Sequence, residues 1–339
     1  MSTHELQRAH GGAPLTGVLR VQPEDFQVIE QLGYGADGDG EHVLLTVRKR
    51  GLTTQQVAEM LARHAGVKPL AVGYAGMKDR HAVTEQAFSV QLPGRAEPDW
   101  QALAGDELQV LAHAPHRRKL KRGALRGNRF VIVLREVAGD HARAETVLEA
   151  IRTDGVPNYF GEQRFGRDGD NVEQARAMFA GRRVRRKQRG ILLSAARSQI
   201  FNTLLDERVR EQNWNLAIDG EVFCLAGSRS WFGPEEPSAA LSTRLEQGDI
   251  HPSGPLWGRG ELASAGRAAG LEQAVADRYP ELVAGLVEAG MDQDRRALRL
   301  LPQNMEWRWL ADDAIELRFE LPAGAYATTV LRELARTVQ

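Results

Sequence analysis

The segment Gly73-Tyr-Ala-Gly-Met-Lys78-Asp79-Arg80-His-Ala-Val-Thr84-Glu-Gln86 holds the residue types best suited to chemistry. Asp79 stands between the cations Lys78 and Arg80, and a carboxylate so flanked stays ionised at neutral pH, as a nucleophile must. Gly73, Ala75 and Gly76 precede it, small enough for a polynucleotide to approach the backbone. An ordinary solvated loop has the same letters, so this segment alone does not decide. Gly33-Tyr-Gly35-Ala-Asp-Gly38 matches a dinucleotide fingerprint, but Asp37, Asp39 and Glu41 would repel phosphate and a strand-like HVLLTVR follows. That connection reads as a hairpin instead. The run Asp37–Glu41 also fails as a calcium loop, with His42 where glycine belongs and Arg48 where the bidentate glutamate belongs. No histidine pair has zinc-site spacing, and no metal is expected.

The 339 residues suit about two domains. A hydrophobic share of 42% and a charged share of 26% exclude a disordered chain. The single cysteine, Cys224, allows no internal disulfide and suits a reducing, cytoplasmic compartment. The polar start MSTHELQRAHGGAPLTG lacks a signal peptide's apolar region, and no run approaches the 18 apolar residues of a membrane span.

Lys+Arg number 44 against 45 Asp+Glu, a net charge of −1 that conceals a strong polarity. Leu108–Arg135 holds eight cations and no acid: Arg117, Arg118, Lys119, Lys121, Arg122, Arg126, Arg129 and Arg135. Gln174–Leu205 again holds eight and no acid, centred on Arg182, Arg183, Arg185, Arg186, Lys187 and Arg189. These stretches carry +16 and the remainder −17. One basic run is commonly a solvated face, but two acid-free runs in one folded chain favour a polyanion such as nucleic acid.

Elements able to position these residues follow from the apolar pattern. Thr16–Gln22, Phe26–Gln31, His42–Arg48, Leu70–Tyr74, Glu85–Gln91, Leu108–His113 and Phe130–Arg135 read as strands. Thr53–Ala65 reads as a helix, with Val57, Met60, Leu61 and Ala65 on one face and Gly66 as its stop. Beyond residue 152 the pattern predicts helices over Gln188–Gln212 and Leu271–Ala289, with loops at Gly233–Pro237 and His251–Gly260. Strand character returns at Trp307–Leu321, before a helix over Thr328–Arg336. The class is α+β with a mixed, largely antiparallel sheet, and the order β-rich, helical, β-rich suggests an insertion.

The Asp79 segment resembles the active-site loop AGxKD[RK]xAVTxQ of the TruD family of tRNA pseudouridine synthases. Six further blocks resemble the family in the same order: Arg20–Val28, Gly38–His42, Arg118–Phe130, Val156–Gly166, Leu193–Ser198 and Leu321–Thr328. They run from about residue 16 to 336. The resemblance implies isomerisation of uridine to pseudouridine in tRNA, at D-arm position 13, without a cofactor. It implies a discontinuous catalytic domain over residues 1–152 and 304–339, with an inserted family-specific α/β domain over 153–303. Asp79 maps onto the family's catalytic aspartate and Arg20 onto the basic residue paired with it. Phe26, Asn128 and Tyr326 map onto the residues lining the uridine pocket.

Those residue types suit the task. A base acted on within folded RNA must leave its stack, aromatic rings can receive it, and an amide can read its edge or hold the Asp79 loop. Asp79 would attack C1′ or C6, or stabilise charge at the sugar. Arg117, Arg118, Lys119, Lys121, Arg122 and Arg126 would grip phosphates near the target, and the Arg182–Arg189 cluster a more distant part of the tRNA. Asn158, Tyr159 and Arg164 suit either the RNA cleft or the domain junction. The family often has Lys at Arg20 and Phe at Tyr326, which leaves the uracil contact open. The competing readings are an RNA-binding or RNA-folding module without chemistry and a nucleotide-cofactor enzyme. A cytoplasmic monomer with no obligate protein partner is expected.

Overall fold

Alternating burial along Phe26–Gln31 and His42–Arg50 shows strands with one face on a core, as their period-two patterns require. In a computed structural model that describes residues 6–166 and 168–338, these belong to one of two compact units. Residues 1–5, the start of the polar stretch read above as lacking a signal peptide, lie outside the described residues, as do 167 and 339.

The strand-rich unit comprises Pro14–His141, Pro302–Ala325 and, among the described residues, 335–338. Its elements from the first segment are β1 (Leu15–Leu19), β2 (Phe26–Gln31), β3 (His42–Arg50), α1 (Thr54–His64), β4 (Val72–Tyr74), β5 (Val83–Gln91), β6 (Leu108–His116) and β7 (Gly127–Gly139). The sheet runs Gln303–Ala311, Ala314–Pro322, β7, β2, β5, β3, β6, with β4 on β5 and β1 bridging β7 and Ala335–Val338. β2 with β5 and β1 with Ala335–Val338 are parallel, and the other pairs are antiparallel. The fold is therefore mixed α+β, as expected.

α1 starts at a reciprocal cap, where the Thr53 side chain accepts from Gln56 N and Gln56 Oε1 accepts from Thr53 N. Its Val57, Ala58, Leu61 and Ala62 pack in one cluster with Val43, Leu45, Val47, Phe88 and Val90. Gly127 opens β7 where a Cβ would lie 2.3 Å from the Leu321 carbonyl oxygen, so only glycine permits this approach. Asn128 follows directly, opposite Glu30 on one side and Leu321 on the other.

Among the described residues, the helix-rich unit comprises 6–13, those of Ala142–Leu301 and Tyr326–Leu334. The helix Arg186–Arg210 runs through its core, burying Leu192, Ala196, Ile200, Phe201 and Leu204. A four-stranded sheet, ordered Trp231–Glu235, Glu221–Leu225, Ile250–Leu256, Asp294–Ala297, completes the α/β character expected there.

Several local expectations change. The loop after β2 does not close a hairpin, because β5 lies between β2 and β3 in the sheet. The span read as one helix over Leu271–Ala289 is two, Gly266–Ala276 and Pro280–Glu288; Pro280 lacks the amide needed to continue a helix and starts a new one. The expected loops at 233–237 and 251–260 contain parts of the strands Trp231–Glu235 and Ile250–Leu256. Trp307–Leu321 spans a hairpin, and the last helix stops at Leu334, where Ala335–Val338 joins β1.

Asp25 closes the turn that delivers Phe26 to β2. Its buried carboxylate takes both Arg135 Nε and Nη2, at 3.0 and 2.8 Å, and accepts from Gln22 N at 3.1 Å. Burial opposes its ionisation, but the Arg135 and Gln22 hydrogen bonds and the Arg135 charge outweigh that and hold its pKa below the ordinary carboxylate value. A lowered folded pKa stabilises the protein fully above the unfolded value, and that contribution is lost as pH falls through the folded one. The stability gap between wild type and Asp25→Asn in urea unfolding should be constant near neutrality and shrink below about pH 4. A gap that widens on acidification would refute this.

Candidate active site

The Asp79 loop connects β4 to β5. Arg20, directly after β1, donates from Nη2 to Asp79 Oδ2 at 2.9 Å. The backbone of Arg20 is left-handed, with φ +61°, which turns its side chain out of the strand path. Its guanidinium lies 4.3 Å from the centre of the Phe26 ring. That ring is buried and meets Phe130 edge-on at 6.4 Å. Arg20 is the more enclosed partner, its side chain 17% exposed against 36% for Asp79. The other Asp79 oxygen, Oδ1, accepts from His81 N at 3.1 Å.

The loop's main chain is held as firmly. Lys78 N donates to Thr54 Oγ1 at 2.9 Å, Thr54 Oγ1 donates to Gln86 Oε1 at 2.9 Å, and Gln86 Nε2 donates to the Gly76 carbonyl at 2.7 Å. Lys78 Nζ lies 3.0 Å from Glu30 Oε2 and donates to Asn128 Oδ1. An ammonium only donates, so the atom facing it must be the Asn128 oxygen, and the amide NH2 is left to donate elsewhere. Arg80 Nε donates to the Gly51 carbonyl at 2.9 Å. Lys49, buried in β3, reaches the carbonyls of Leu52 and of Asp79 itself, each at 2.7 Å.

Arg20, Phe26, Asp79 and Asn128 are thus parts of one constellation in the strand-rich unit. Tyr326 belongs to the helix-rich unit, at the entry to the helix Ala327–Leu334, where its carbonyl accepts from Thr329 N at 3.0 Å. Lys49, Glu30 and Lys78 were not singled out from the sequence as site residues. Lys49 was visible in principle, because it continues the buried alternation Leu45, Val47, Lys49 of β3.

The two basic clusters differ. On the strand-rich unit Arg117 is exposed but paired with Asp39, Nε to Oδ1 at 2.6 Å and Nη2 to Oδ2 at 3.0 Å. Arg122 donates to the Tyr74 hydroxyl at 2.9 Å and lies over its ring. Lys119 Nζ donates to the Leu70 carbonyl. Arg118, Lys121 and Arg126 lie on the same segment. On the helix-rich unit Arg182, Arg183, Arg185, Arg186, Lys187 and Arg189 are all exposed. Arg185 is the N-cap of the long helix, without a side-chain cap, and its first turn has no acid.

Asn158 and Tyr159 commit their polar atoms within the helix-rich unit. Asn158 Nδ2 donates to the Ala297 carbonyl at 2.8 Å, and its Oδ1 accepts from Arg296 at 2.6 Å. The Tyr159 hydroxyl faces Asp206, and burial raises its pKa. Arg164 donates to Ser194 Oγ at 2.8 Å and lies over Phe160.

A model of the family described as tRNA pseudouridine synthase D (TruD) matches residues 8–178 and 170–334. The tRNA pseudouridine synthase D of Xanthomonas campestris pv. campestris (strain 8004) is 53% identical over 348 residues, covering 98% of this chain and 95% of that protein. The one from Methylococcus capsulatus (strain ATCC 33009 / NCIMB 11132 / Bath) is 49% identical over 332 residues, covering 97% and 94%. The crystal structure of the putative tRNA pseudouridine synthase D (TruD) from Methanosarcina mazei matches with TM-score 0.72 at 21% identity, over 96% of this chain and 95% of that one, a likeness of fold. These relatives make the protein a pseudouridine synthase, an isomerase. The chain belongs to the TruD family.

The Lys78–Glu30 pair is almost fully enclosed, with side chains 6% and 1% exposed. Lys78→Met would leave the Glu30 carboxylate without its cation, so unfolding stability should fall by about 3–5 kcal/mol in denaturant titration. Adding Glu30→Gln should restore part of the loss; a strictly additive double variant would show that the two side chains do not depend on each other.

Proposed function

We propose that this protein isomerises the uridine at D-arm position 13 of tRNA, with Asp79 as nucleophile and no cofactor. The observation that supports this most directly is the Asp79 carboxylate held by Arg20 at 2.9 Å on a loop anchored along its main chain. In the reaction the N1–C1′ bond breaks, the base turns, and C5 bonds to C1′. C5 gives up its proton and N1 gains one, so the atoms balance without a redox partner. Arg20 holds the carboxylate in place and aims it. Asn128, its oxygen taken by Lys78, presents its NH2 to a uracil carbonyl. Phe26 supports the base from beneath Arg20, and Tyr326 keeps the role that the resemblance implies for it. The catalytic body is the discontinuous strand-rich part of the chain, and the inserted part adds RNA contacts.

RNA binding rests on the charge pattern. Arg185, Arg186, Lys187 and Arg189 crowd the N-terminus of a 25-residue helix, where the helix dipole already repels cations. Folding alone would favour acids there. Phosphates would offset both charges at once.

With tRNA tritiated at uridine C5, the wild-type protein should release tritium to water. Asp79→Asn should abolish release while tRNA binding changes less than about twofold. An RNA-binding module without chemistry would bind the tRNA and release nothing, and an Asp79→Asn variant turning over at the wild-type rate would remove Asp79 from the mechanism.

Replacing Arg182, Arg183, Arg185 and Arg186 together with glutamine should weaken tRNA binding and flatten its salt dependence. Each lost phosphate contact should remove about 0.7–0.9 from the slope of log K against log salt. The same variant should unfold at no lower temperature than wild type, since it relieves repulsion at the helix end. An unchanged slope would place this cluster outside the RNA interface.

A further inference from the structure

Lys49 is a cation on the inside of a sheet. Its side chain extends from the core face of β3, in register with Thr84 of β5 and Leu108 of β6, neither of which carries a charge. Its residue is 1% exposed, and its Nζ donates to the carbonyls of Leu52 and Asp79, each at 2.7 Å. An ammonium in such a place is costly, and an apolar side chain of similar length would fill the same volume more cheaply. What the lysine supplies that methionine lacks is a donor beneath the backbone of the residue whose carboxylate points at Arg20.

We propose that Lys49 is a positioning residue for the reaction: it holds the Asp79 main chain from below, as Arg20 holds the carboxylate from outside, and sets the direction of the side chain. The proposal rests on the reading of Asp79 as the reacting carboxylate. Two different cations then fix two ends of one residue. Arg20 acts on the charged group, and Lys49 acts on the peptide that carries it.

The charge on Lys49 is poised. Burial lowers its pKa, the Asp79 charge raises it, and Lys78 lowers it again, leaving it at about 8. Arg80 and Lys78 are the other charged side chains of the loop above it; the first bonds Gly51 and the second Glu30. A neutral amine keeps two N–H donors but loses the charge that strengthens both bonds. Turnover should therefore fall as pH rises through about 8.

The test uses the full chain with C5-tritiated tRNA, and folding of each variant is followed by thermal unfolding. Lys49→Met should lower kcat by about ten- to a hundredfold, the scale of a misaimed reacting group, with KM within about twofold of wild type. Lys49→Gln, which retains a donor without a titrating charge, should keep more activity than Lys49→Met and lose the alkaline fall in kcat. Lys49→Met with wild-type kcat per folded molecule would overturn the proposal. So would an alkaline fall in Lys49→Gln at the same pH as in wild type, or no fall in wild type on passing pH 8. Asp79→Asn run alongside separates the two readings. If it is inactive while Lys49→Met is unimpaired, only the role of Lys49 fails. If it turns over normally, Asp79 is not the reacting group and both fail.

Discussion

A carboxylate meant to react must be exposed enough to reach its substrate and rigid enough to point at it. Loops supply exposure and lack rigidity. On the proposed reading of Asp79 as the nucleophile, everything around it addresses that conflict. The side chain is tied to Arg20, the carbonyl to Lys49, the preceding amide to Thr54, and the Gly76 carbonyl to Gln86. These partners come from the residue that follows β1 and from β3, α1 and β5, so four elements must be in place before the loop has its shape. The sheet order brings them together: β5 lies between β2 and β3, and α1 packs on the face from which Lys49 and Gln86 project.

Local structure was legible wherever short-range chemistry decides it. Phe26–Gln31 forms a strand over the expected span, and the helix Thr54–His64 falls within the expected Thr53–Ala65. The pairing of Arg20 with Asp79 came from resemblance, since no local rule connects residues 59 apart. What stayed hidden depends on distant neighbours. A hairpin after β2 was reasonable until β5 paired in parallel with β2 and separated it from β3. Lys49 lies in the run Arg48-Lys49-Arg50 and looks like the solvated end of a strand. Only the phase of Leu45 and Val47 marks it as inward. The helix His141–Asp154 buries Ala144, Val147, Leu148 and Ile151, a helical spacing diluted by the charged residues around it.

The near-neutral net charge conceals two different uses of cations. Around residues 117–122 Arg117 is braced by Asp39 and Arg122 by Tyr74, which narrows their geometry. At 182–189 they stand exposed at the end of a helix that would be more stable without them. The first arrangement suits recognition at a defined distance, and the second suits long-range attraction of a flexible polyanion.

The left-handed backbone at Arg20 has a consequence for how this sequence can change. With φ at +61°, the position favours glycine on conformational grounds, by roughly 1–2 kcal/mol over a residue with a Cβ. Arg20→Gly would relax the chain and remove the guanidinium from Asp79 in one step. On the proposed role of Arg20, a library sorted only on folded yield and drawn to that substitution would enrich inactive molecules. On that reading position 20 belongs among those held fixed in any stabilisation campaign, although its backbone conformation taken alone marks it as a place to improve.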